Sequence, residues 1–403
     1  MHGVTKVGTT TVEPLRFTWR ELSGSLGDLG TFLPLVLGMS LTCGFDLGTV
    51  LVWAGFLNIL TGWWLRQPIP VQPMKAIAAV AITERLLRQD LVAGGLLMGA
   101  ALIILGAIGV VPWVARHVPR PVVRGIQLGI GLKLAVTALG WLHDLPWVGL
   151  DCVGVAAVFA VLLVLSRDGL RPLHWFRGVP VLLVFFAAGF LLLYLARPQA
   201  YSALHVAWPQ FALTWPTDMR SWATGLTKVA VPQLPLTLLN SVVAVCALSA
   251  NYFPGRGIPL GRMTVSVGLM NLVSVPFGGI PMCHGAGGLA AQHRFGARTG
   301  GSVVMLGVLK IAAGLVFGAS LTAVLNDYPK SILAVMLVFA GASLASAARD
   351  CLRGVPLLVL AVTTATILLT NTAAGVVVGL VAAQSAAVAA RIAPPFKKNR
   401  PPG

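Results

Sequence analysis

The sequence predicts an all-helical integral membrane protein, with about 14 transmembrane helices arranged as two inverted repeats of seven. The chain has 403 residues, of which 57% are hydrophobic and only 10% are charged. That balance is too apolar for one water-soluble core. Long apolar runs alternate with charged or Pro/Gly-rich breaks along the whole chain, and short motifs recur in the two halves.

Fourteen apolar runs account for the predicted helices, and a spanning helix needs roughly 20 residues. They lie near residues 22–42, 46–65, 71–83, 91–115, 122–140, 147–165, 179–196, 232–250, 263–280, 282–292, 301–325, 331–348, 355–370 and 373–391. The third and tenth runs are too short to cross a bilayer. We therefore expect these two to be half-helices that begin inside the membrane.

The same runs divide the chain into five predicted parts. Residues 1–21 form a cytoplasmic segment, 22–197 the first repeat with helices 1–7, 198–231 an interfacial connector, 232–391 the second repeat with helices 8–14, and 392–403 a short cytoplasmic tail. Trp208, Trp215 and Trp222 favour an interfacial position for the connector. We expect no regulatory domain after the last helix.

The formal net charge of +17 is spread between apolar runs, which argues against a nucleic-acid partner. With a cytoplasmic amino terminus, the fourteen crossings place 20 of the 29 Lys and Arg residues inside, six outside and three within spans. This bias agrees with retention of basic residues on the cytoplasmic side. We expect no removable signal peptide, both termini in the cytoplasm, and residence in the plasma (inner) membrane.

Two motifs recur in the halves. Ile69-Pro70 before the third helix corresponds to Ile280-Pro281 before the tenth, and Gly99 and Gly106 in the fourth helix correspond to Gly307 and Gly314 in the eleventh. Because each repeat has an odd number of helices, the second repeat enters the membrane from the opposite side, and the two repeats are inverted relative to each other. In such proteins the substrate lies near the midplane, between discontinuous helices.

The starts of the two short helices, in residues 67–82 and 278–297, are the strongest site candidates. The first N–H groups of a helix lack partners, and the peptide dipoles add about half a positive charge there. Gly285, Gly287 and Gly288 allow close backbone approach. The alternative is that these Pro and Gly residues only kink ordinary spans.

Ionisable residues near the helix starts supply the predicted chemistry. Lys75 is the preferred counter-charge for an anion, with snorkelling to the interface as the alternative. His284, with Cys283, could donate to substrate or respond to protons, or make a structural hydrogen bond. Asp28 is a candidate proton-coupling residue, or else a permanent partner of Lys75 or Lys133.

Polar residues of the first and eighth helices complete the predicted site. Gln233, Thr237 and Asn240 could line the same cavity or join helices by hydrogen bonds. Thr31 is assigned to the substrate site as well. Lys133 and Lys310 are weaker candidates, which could guide anions or pair with backbone carbonyls.

Several function classes lack their sequence signatures. The chain has no GxxxxGK[ST] loop for an ATP-driven pump, and no HExxH or Ser/His/Asp arrangement for an enzyme. The five cysteines form no CxxC or metal-like spacing. We therefore expect neither catalysis, nor a cofactor, nor a metal site.

Four stretches, residues 27–39, 68–82, 232–249 and 266–300, closely resemble the molybdate transporter family, a branch of the sulfate permease superfamily. The resemblance implies a core domain of helices 1–4 and 8–11 and a gate domain of helices 5–7 and 12–14. Relatives often form homodimers and couple transport to an ion. Family motifs place the anion near Gln72, Pro73, Met74, Lys75, Met282, Cys283, His284, Gly285, Ala286 and Gly287.

The predicted function is therefore import of a tetrahedral oxyanion by a secondary active transporter that works by alternating access with proton coupling. Molybdate leads because of the resemblance, while sulfate and tungstate are tetrahedral dianions too. A sulfate transporter, a nucleobase or carboxylate carrier of the same fold, and a passive anion channel are the alternatives. The partners expected are the oxyanion and the lipid bilayer, with a homodimer left open.

Overall fold

The computed structural model describes residues 14–26, 29–167, 181–318 and 320–392, and these residues are mainly helical. The first half contains α1 (Trp19–Ser25), α2 (Leu29–Cys43), α3 (Leu47–Leu65), β1 (Val71–Pro73), α4 (Lys75–Glu84), α5 (Arg88–Ala107), α6 (Val111–His117), α7 (Arg120–His143), α8 (Val153–Arg167) and α9 (Val181–Ala196). The second half contains α10 (Met219–Thr224), α11 (Val231–Leu236), α12 (Ala244–Tyr252), α13 (Leu260–Ser274), β2 (Met282–His284), α14 (Ala286–Arg294), α15 (Gly301–Phe317), α16 (Ser320–Asn326), α17 (Lys330–Ala345), α18 (Gly354–Leu369) and α19 (Thr372–Ile392).

The predicted number of helices is confirmed for the described part of the chain. Seven helices there are long and apolar enough to cross a membrane, and the same part contains five shorter apolar helices. With α4 and α14 these make fourteen segments, in the order that the apolar runs predict. The chain is a multi-pass membrane protein.

The eighth helix begins earlier than predicted. Every residue from Met219 to Tyr252 is helical, although the type of helix changes along the stretch. Trp222 and Lys228 therefore lie in a helix instead of in the interfacial connector. Two π-helical segments, Gly225–Ala230 and Thr237–Val243, separate α10, α11 and α12. Pro232 and Pro235 have no N–H to donate and interrupt the regular α-helical bonds in this stretch. π-helical turns frequently mark functional positions.

The third and tenth segments are half-helices, as predicted. Each consists of a three-residue strand followed by a short helix, β1 before α4 and β2 before α14. The strands pair antiparallel, with Gln72 opposite Cys283. The equivalent segments of the two repeats therefore meet each other inside the protein, and both helices start from this small sheet.

One group of helices surrounds the half-helices and is built from equivalent contacts in the two repeats. Helix α3 packs against α15, and α13 packs against α5. A Cβ atom on Gly307 would lie 2.5 Å from the Gly55 carbonyl oxygen, and one on Gly99 would lie 2.9 Å from the Gly268 carbonyl oxygen. The glycines that recur in the sequence thus let the backbones approach closely, as small residues do between membrane helices.

A second group packs around α7, which contacts α17, α18 and α19. Helices α7 and α17, equivalent in the two repeats, cross where Gly131 and Gly341 meet. The first group is the core domain and the second the gate domain of the 7+7 fold. The site lies where they face each other.

Candidate functional site

A cavity of about 240 Å³ lies between the two half-helices and the gate. Its walls come from β1 and α4, from β2 and α14, from α11 and the π-helical segment that follows it, and from α7 and α17. The lining residues are Gln72, Pro73, Lys75, Ala76, Gln127, Gln233, Leu236, Asn240, Ser241, Cys283, His284, Gly285, Ala286, Gly287, Ser343 and Leu344. Most of the predicted site residues are therefore brought together by the fold.

Two buried asparagines fix the strands that lead into the half-helices. The Asn58 Oδ1 atom accepts a hydrogen bond from the Val71 N–H at 2.8 Å, and Asn271 Oδ1 accepts one from the Met282 N–H at 2.9 Å. Val71 and Met282 each follow the proline of a repeated Ile-Pro motif. The sequence analysis did not identify either asparagine, although a lone Asn in an apolar helix indicates a hydrogen bond to a neighbouring segment.

The amino-terminal turns of α4 and α14 both face the cavity, at Lys75 and Ala76 and at Ala286 and Gly287. Neither helix has a side-chain cap. The first-turn N–H groups have no carbonyl partner within their own helix, and they carry the positive ends of the helix dipoles. The cavity is therefore suited to an anion.

Glycine serves two purposes at the start of α14. A Cβ atom on Gly285 would collide with the terminal amide of the Gln72 side chain across the small sheet, so a larger residue here would displace that amide. A Cβ atom on Gly287 would meet no atom within 4 Å and would project into open space. Gly285 thus leaves space for the Gln72 amide, whereas Gly287 leaves room for a ligand near the helix end.

Lys75 is the first residue of α4 and lines the cavity. It shares the cavity wall with Cys283 and Ser241. A cation this deep in a membrane protein is expensive unless it faces polar groups or a partner. Its place beside two helix amino termini concentrates positive potential at one end of the cavity.

His284 makes structural hydrogen bonds in this conformation. Its Nδ1 atom lies 3.3 Å from the Pro70 carbonyl oxygen, which can only accept a hydrogen bond, so Nδ1 carries the proton. Its Nε2 atom lies 3.0 Å from the Ser266 hydroxyl, which then donates. Both ring nitrogens of His284 are hydrogen-bonded to protein groups. This favours a structural role for the ring over direct donation to substrate.

Gln233 presents a polar group to the cavity from the eighth helix. The side chain is 3% exposed, and its Nε2 atom donates to the Thr237 Oγ1 at 3.0 Å. Its Oε1 atom has no hydrogen-bond partner among the described residues. Because the threonine hydroxyl can also donate, rotation of the amide would exchange its oxygen and nitrogen without losing the bond to Thr237.

Not every predicted residue lines the cavity. Met74 and Met282 are fully buried in the core, and their N–H groups bond to the Pro281 carbonyl and to Asn271. Thr237 holds Gln233 from outside the lining. Thr31 belongs to α2, but its side chain is outside the described part, as is Asp28 altogether.

The gate wall contains residues that sequence reasoning missed, namely Gln127 on α7 and Ser343 and Leu344 on α17. No carboxylate is among the lining residues in the part of the chain that the structure describes. The side chains around the cavity are therefore neutral or, at Lys75, basic. Gln127 stands alone as a polar residue in an apolar stretch, which is the signal that could have found it.

The two weaker lysine candidates lie away from the cavity lining. The Lys133 Nζ atom is 3.4 Å from Glu84 Oε1, at the last residue of α4. Lys310 is 4% exposed, and its Nζ atom lies 3.5 Å from the centre of the Phe32 ring. The contact of Lys133 with Glu84 joins the gate to the core.

A metal centre has no support in the described residues, where no group of three or more His, Cys, Asp or Glu side chains could hold an ion. The cavity instead combines helix amino termini, amide groups and a lysine. Such donor-rich surroundings can replace the hydration of an anion.

Comparison with known protein families gives one match that spans most of the two repeats. The model described as "Molybdate transporter of MFS superfamily" matches residues 20–134 and 225–344. "Molybdate transporter 2" of Arabidopsis thaliana is 39% identical to this chain over 370 residues, covering 82% of this chain and 79% of that protein.

Solved anion-transporter structures share the fold at low identity. The structure described as "The overall structure of SLC26A9" has a TM-score of 0.67 at 16% identity, covering 92% of this chain, and this chain spans 65% of that one. The transmembrane domain of a cyanobacterium bicarbonate transporter, BicA, has a TM-score of 0.61 at 16% identity, covering 92% of this chain and 98% of that domain.

Proposed function

Since the chain belongs to the molybdate transporter family, we propose that it is a secondary active transporter importing a tetrahedral oxyanion, with molybdate as the leading substrate. The observation that carries the proposal is the cavity into which the first turns of α4 and α14 both open beside Lys75. An anion held there would receive hydrogen bonds from two helix ends and one full positive charge.

The size and polarity of the cavity favour a small ion. Its volume of about 240 Å³ is below the roughly 300–1,000 Å³ typical of pockets for drug-sized ligands. Most of its polar side chains, such as Gln72, Gln233 and Asn240, are uncharged. Neutral donors compensate a dianion without the repulsion that carboxylates would add.

Transport by alternating access is the mechanism we favour. The cavity lies between the core, which carries both half-helices, and the gate, which supplies α7 and α17. Movement of one domain against the other would expose the same site to each side in turn. On sequence grounds the proposal also includes proton coupling through Asp28, location in the plasma membrane and cytoplasmic termini. Whether the transporter is a homodimer stays open.

The direct test is uptake of radiolabelled molybdate into proteoliposomes that contain the purified protein, with and without a pH gradient. We expect uptake that unlabelled molybdate abolishes, and accumulation against a molybdate gradient when the inside is more alkaline. Empty liposomes are the control. If no oxyanion is taken up, the proposal is wrong; downhill flux without accumulation would favour the passive channel.

Substrate identity is resolved in the same assay by competition. Molybdate, tungstate and sulfate are compared with uracil and a dicarboxylate at equal concentrations. We expect the tetrahedral dianions to compete and the planar nucleobase to have no effect, because the lining offers donors without a carboxylate to bind ring N–H groups among the described residues. Inhibition by uracil alone would favour the nucleobase carrier.

A further inference from the structure

Gln127 is the polar residue that the gate contributes to the cavity from α7. The side chain is 5% exposed, and it faces the half-helices across the space in which the anion is proposed to bind. All the side chains assigned to the anion from the sequence belong to the core, whereas Gln127 lies on the opposite domain.

A hydrogen bond from Arg124 determines which end of the Gln127 amide faces the arginine. Arg124, one turn earlier on α7, donates from its Nη1 atom to the Gln127 Oε1 at 3.0 Å. A guanidinium has five N–H donors and no acceptor, so it can bond only to the amide oxygen. The amide nitrogen of Gln127 is therefore turned away from Arg124, with its two N–H groups left to donate elsewhere.

Arg124 is itself held in place. Its Nε and Nη2 atoms donate to the Asp350 carboxylate at 3.1 and 2.9 Å, in a two-pronged pair from the segment that follows α17. Two parallel bonds fix the plane of a guanidinium more firmly than one. Asp350, Arg124 and Gln127 thus form a chain of fixed hydrogen bonds within the gate that ends at the cavity.

We infer that the Gln127 amide nitrogen donates a hydrogen bond to the bound oxyanion, and that Arg124 is the positioning residue that sets its direction. The inference rests on the proposed function and adds a ligand from the gate. An anion bound by core residues and Gln127 together would bridge the two domains. Its binding would therefore favour the conformation in which gate and core close around it.

The test measures molybdate affinity by isothermal titration calorimetry on the purified full-length protein, with the melting temperature of the ligand-free protein as the stability readout. Gln127→Ala is expected to weaken binding about tenfold or more, as for loss of one hydrogen bond to a charged group. Gln199→Ala, at an exposed glutamine of the connector, is the matched control and retains wild-type affinity. Gln127→Met, similar in shape but without hydrogen-bonding atoms, replaces the alanine variant if that one does not fold.

A double-mutant cycle tests the positioning role of Arg124. Arg124→Ala is expected to weaken binding in the wild-type background, because the amide can then rotate, and to have no further effect on affinity when Gln127 is already alanine. Arg124→Lys keeps a group that only donates, so it should restore part of the affinity. If Arg124 only stabilised the fold, Arg124→Ala would lower the melting temperature in both backgrounds. Its effect on molybdate affinity would then not depend on the presence of Gln127.

The outcomes separate the inference from the proposed function. Wild-type affinity in Gln127→Ala and Gln127→Met, in a protein that binds molybdate, overturns the inference alone. Equal losses of affinity on removing Arg124 in both backgrounds overturn the positioning role. If the unmodified protein binds neither molybdate nor another oxyanion, the proposed function is wrong and the inference is wrong with it.

Discussion

Asn58 and Asn271 perform the same task at equivalent positions of the two repeats. Each side-chain oxygen accepts a hydrogen bond from the residue that follows a repeated Ile-Pro motif, at 2.8 Å for Val71 and 2.9 Å for Met282. Both asparagines are fully buried. Asn271 also donates to the Met282 carbonyl oxygen at 2.7 Å, which holds the strand on both sides. The two strands, and hence the two helix ends at the cavity, depend on these clamps.

Asn271→Ala is expected to lower the free energy of unfolding by about 2 kcal/mol or more, because a buried N–H group loses its acceptor. Molybdate affinity should fall too, since the start of α14 is no longer held. The measurements are thermal melting in detergent and calorimetric titration. The exposed Asn326→Ala is the control; equal behaviour of the two variants would contradict a clamping role.

Lys75→Ala is expected to weaken molybdate binding by about a hundredfold, since loss of a buried charge partner costs roughly 2–5 kcal/mol. Lys75→Arg should retain a substantial part of the affinity because the charge remains. Alanine at Lys330, an exposed lysine, provides the comparison. Undiminished affinity in Lys75→Ala would show that the lysine does not contact the anion.

Gly287→Ala separates binding from stability. A methyl group here meets no protein atom within 4 Å and would stand in the cavity beside the helix end. Because alanine favours helices more than glycine does, the melting temperature should be unchanged or higher. Molybdate affinity should nevertheless fall. Tighter binding by the alanine variant would exclude an anion at this end of α14.

The Glu84–Lys133 pair joins core and gate through half-buried side chains, 3.4 Å apart. Double-mutant analysis with glutamine at both positions should give a coupling free energy of about 0.5–1 kcal/mol. The Arg197–Asp327 pair is more exposed and should give a smaller coupling. Thermal or chemical unfolding of the four variants measures both. A Glu84–Lys133 coupling near zero would mean that the pair does not stabilise this arrangement of the domains.

Asp28→Asn is expected to abolish the dependence of molybdate accumulation on a pH gradient, because the amide cannot titrate. Exchange of molybdate across the liposome membrane should persist, since exchange needs no net proton movement. Gradient-driven accumulation equal to that of the unmodified protein would assign proton coupling to another residue. Asp28 lies outside the described residues, so this expectation comes from the sequence.

The residues of the candidate site differ in how far the sequence could identify them. Lys75 and Gly287 were predictable, because a lysine in an apolar run and glycines at a helix start are unusual by themselves. His284 was predictable as a site residue, but its ring bonds to Ser266 and Pro70 became known only from the fold. Gln127 depends on Arg124 and Asp350, which are 226 positions apart, and no local pattern pairs them.

The sequence by itself determined the membrane environment, the fourteen segments, the inverted repeats and the two broken helices. These follow from hydropathy, Pro/Gly breaks and repeated motifs, which act over a few neighbouring residues. Only the tertiary structure decided which polar groups share one cavity, how the asparagines hold the strands, and that Lys133 pairs with Glu84. Those contacts depend on how distant helices dock, and backbone approach at glycines such as Gly55 and Gly307 sets that docking.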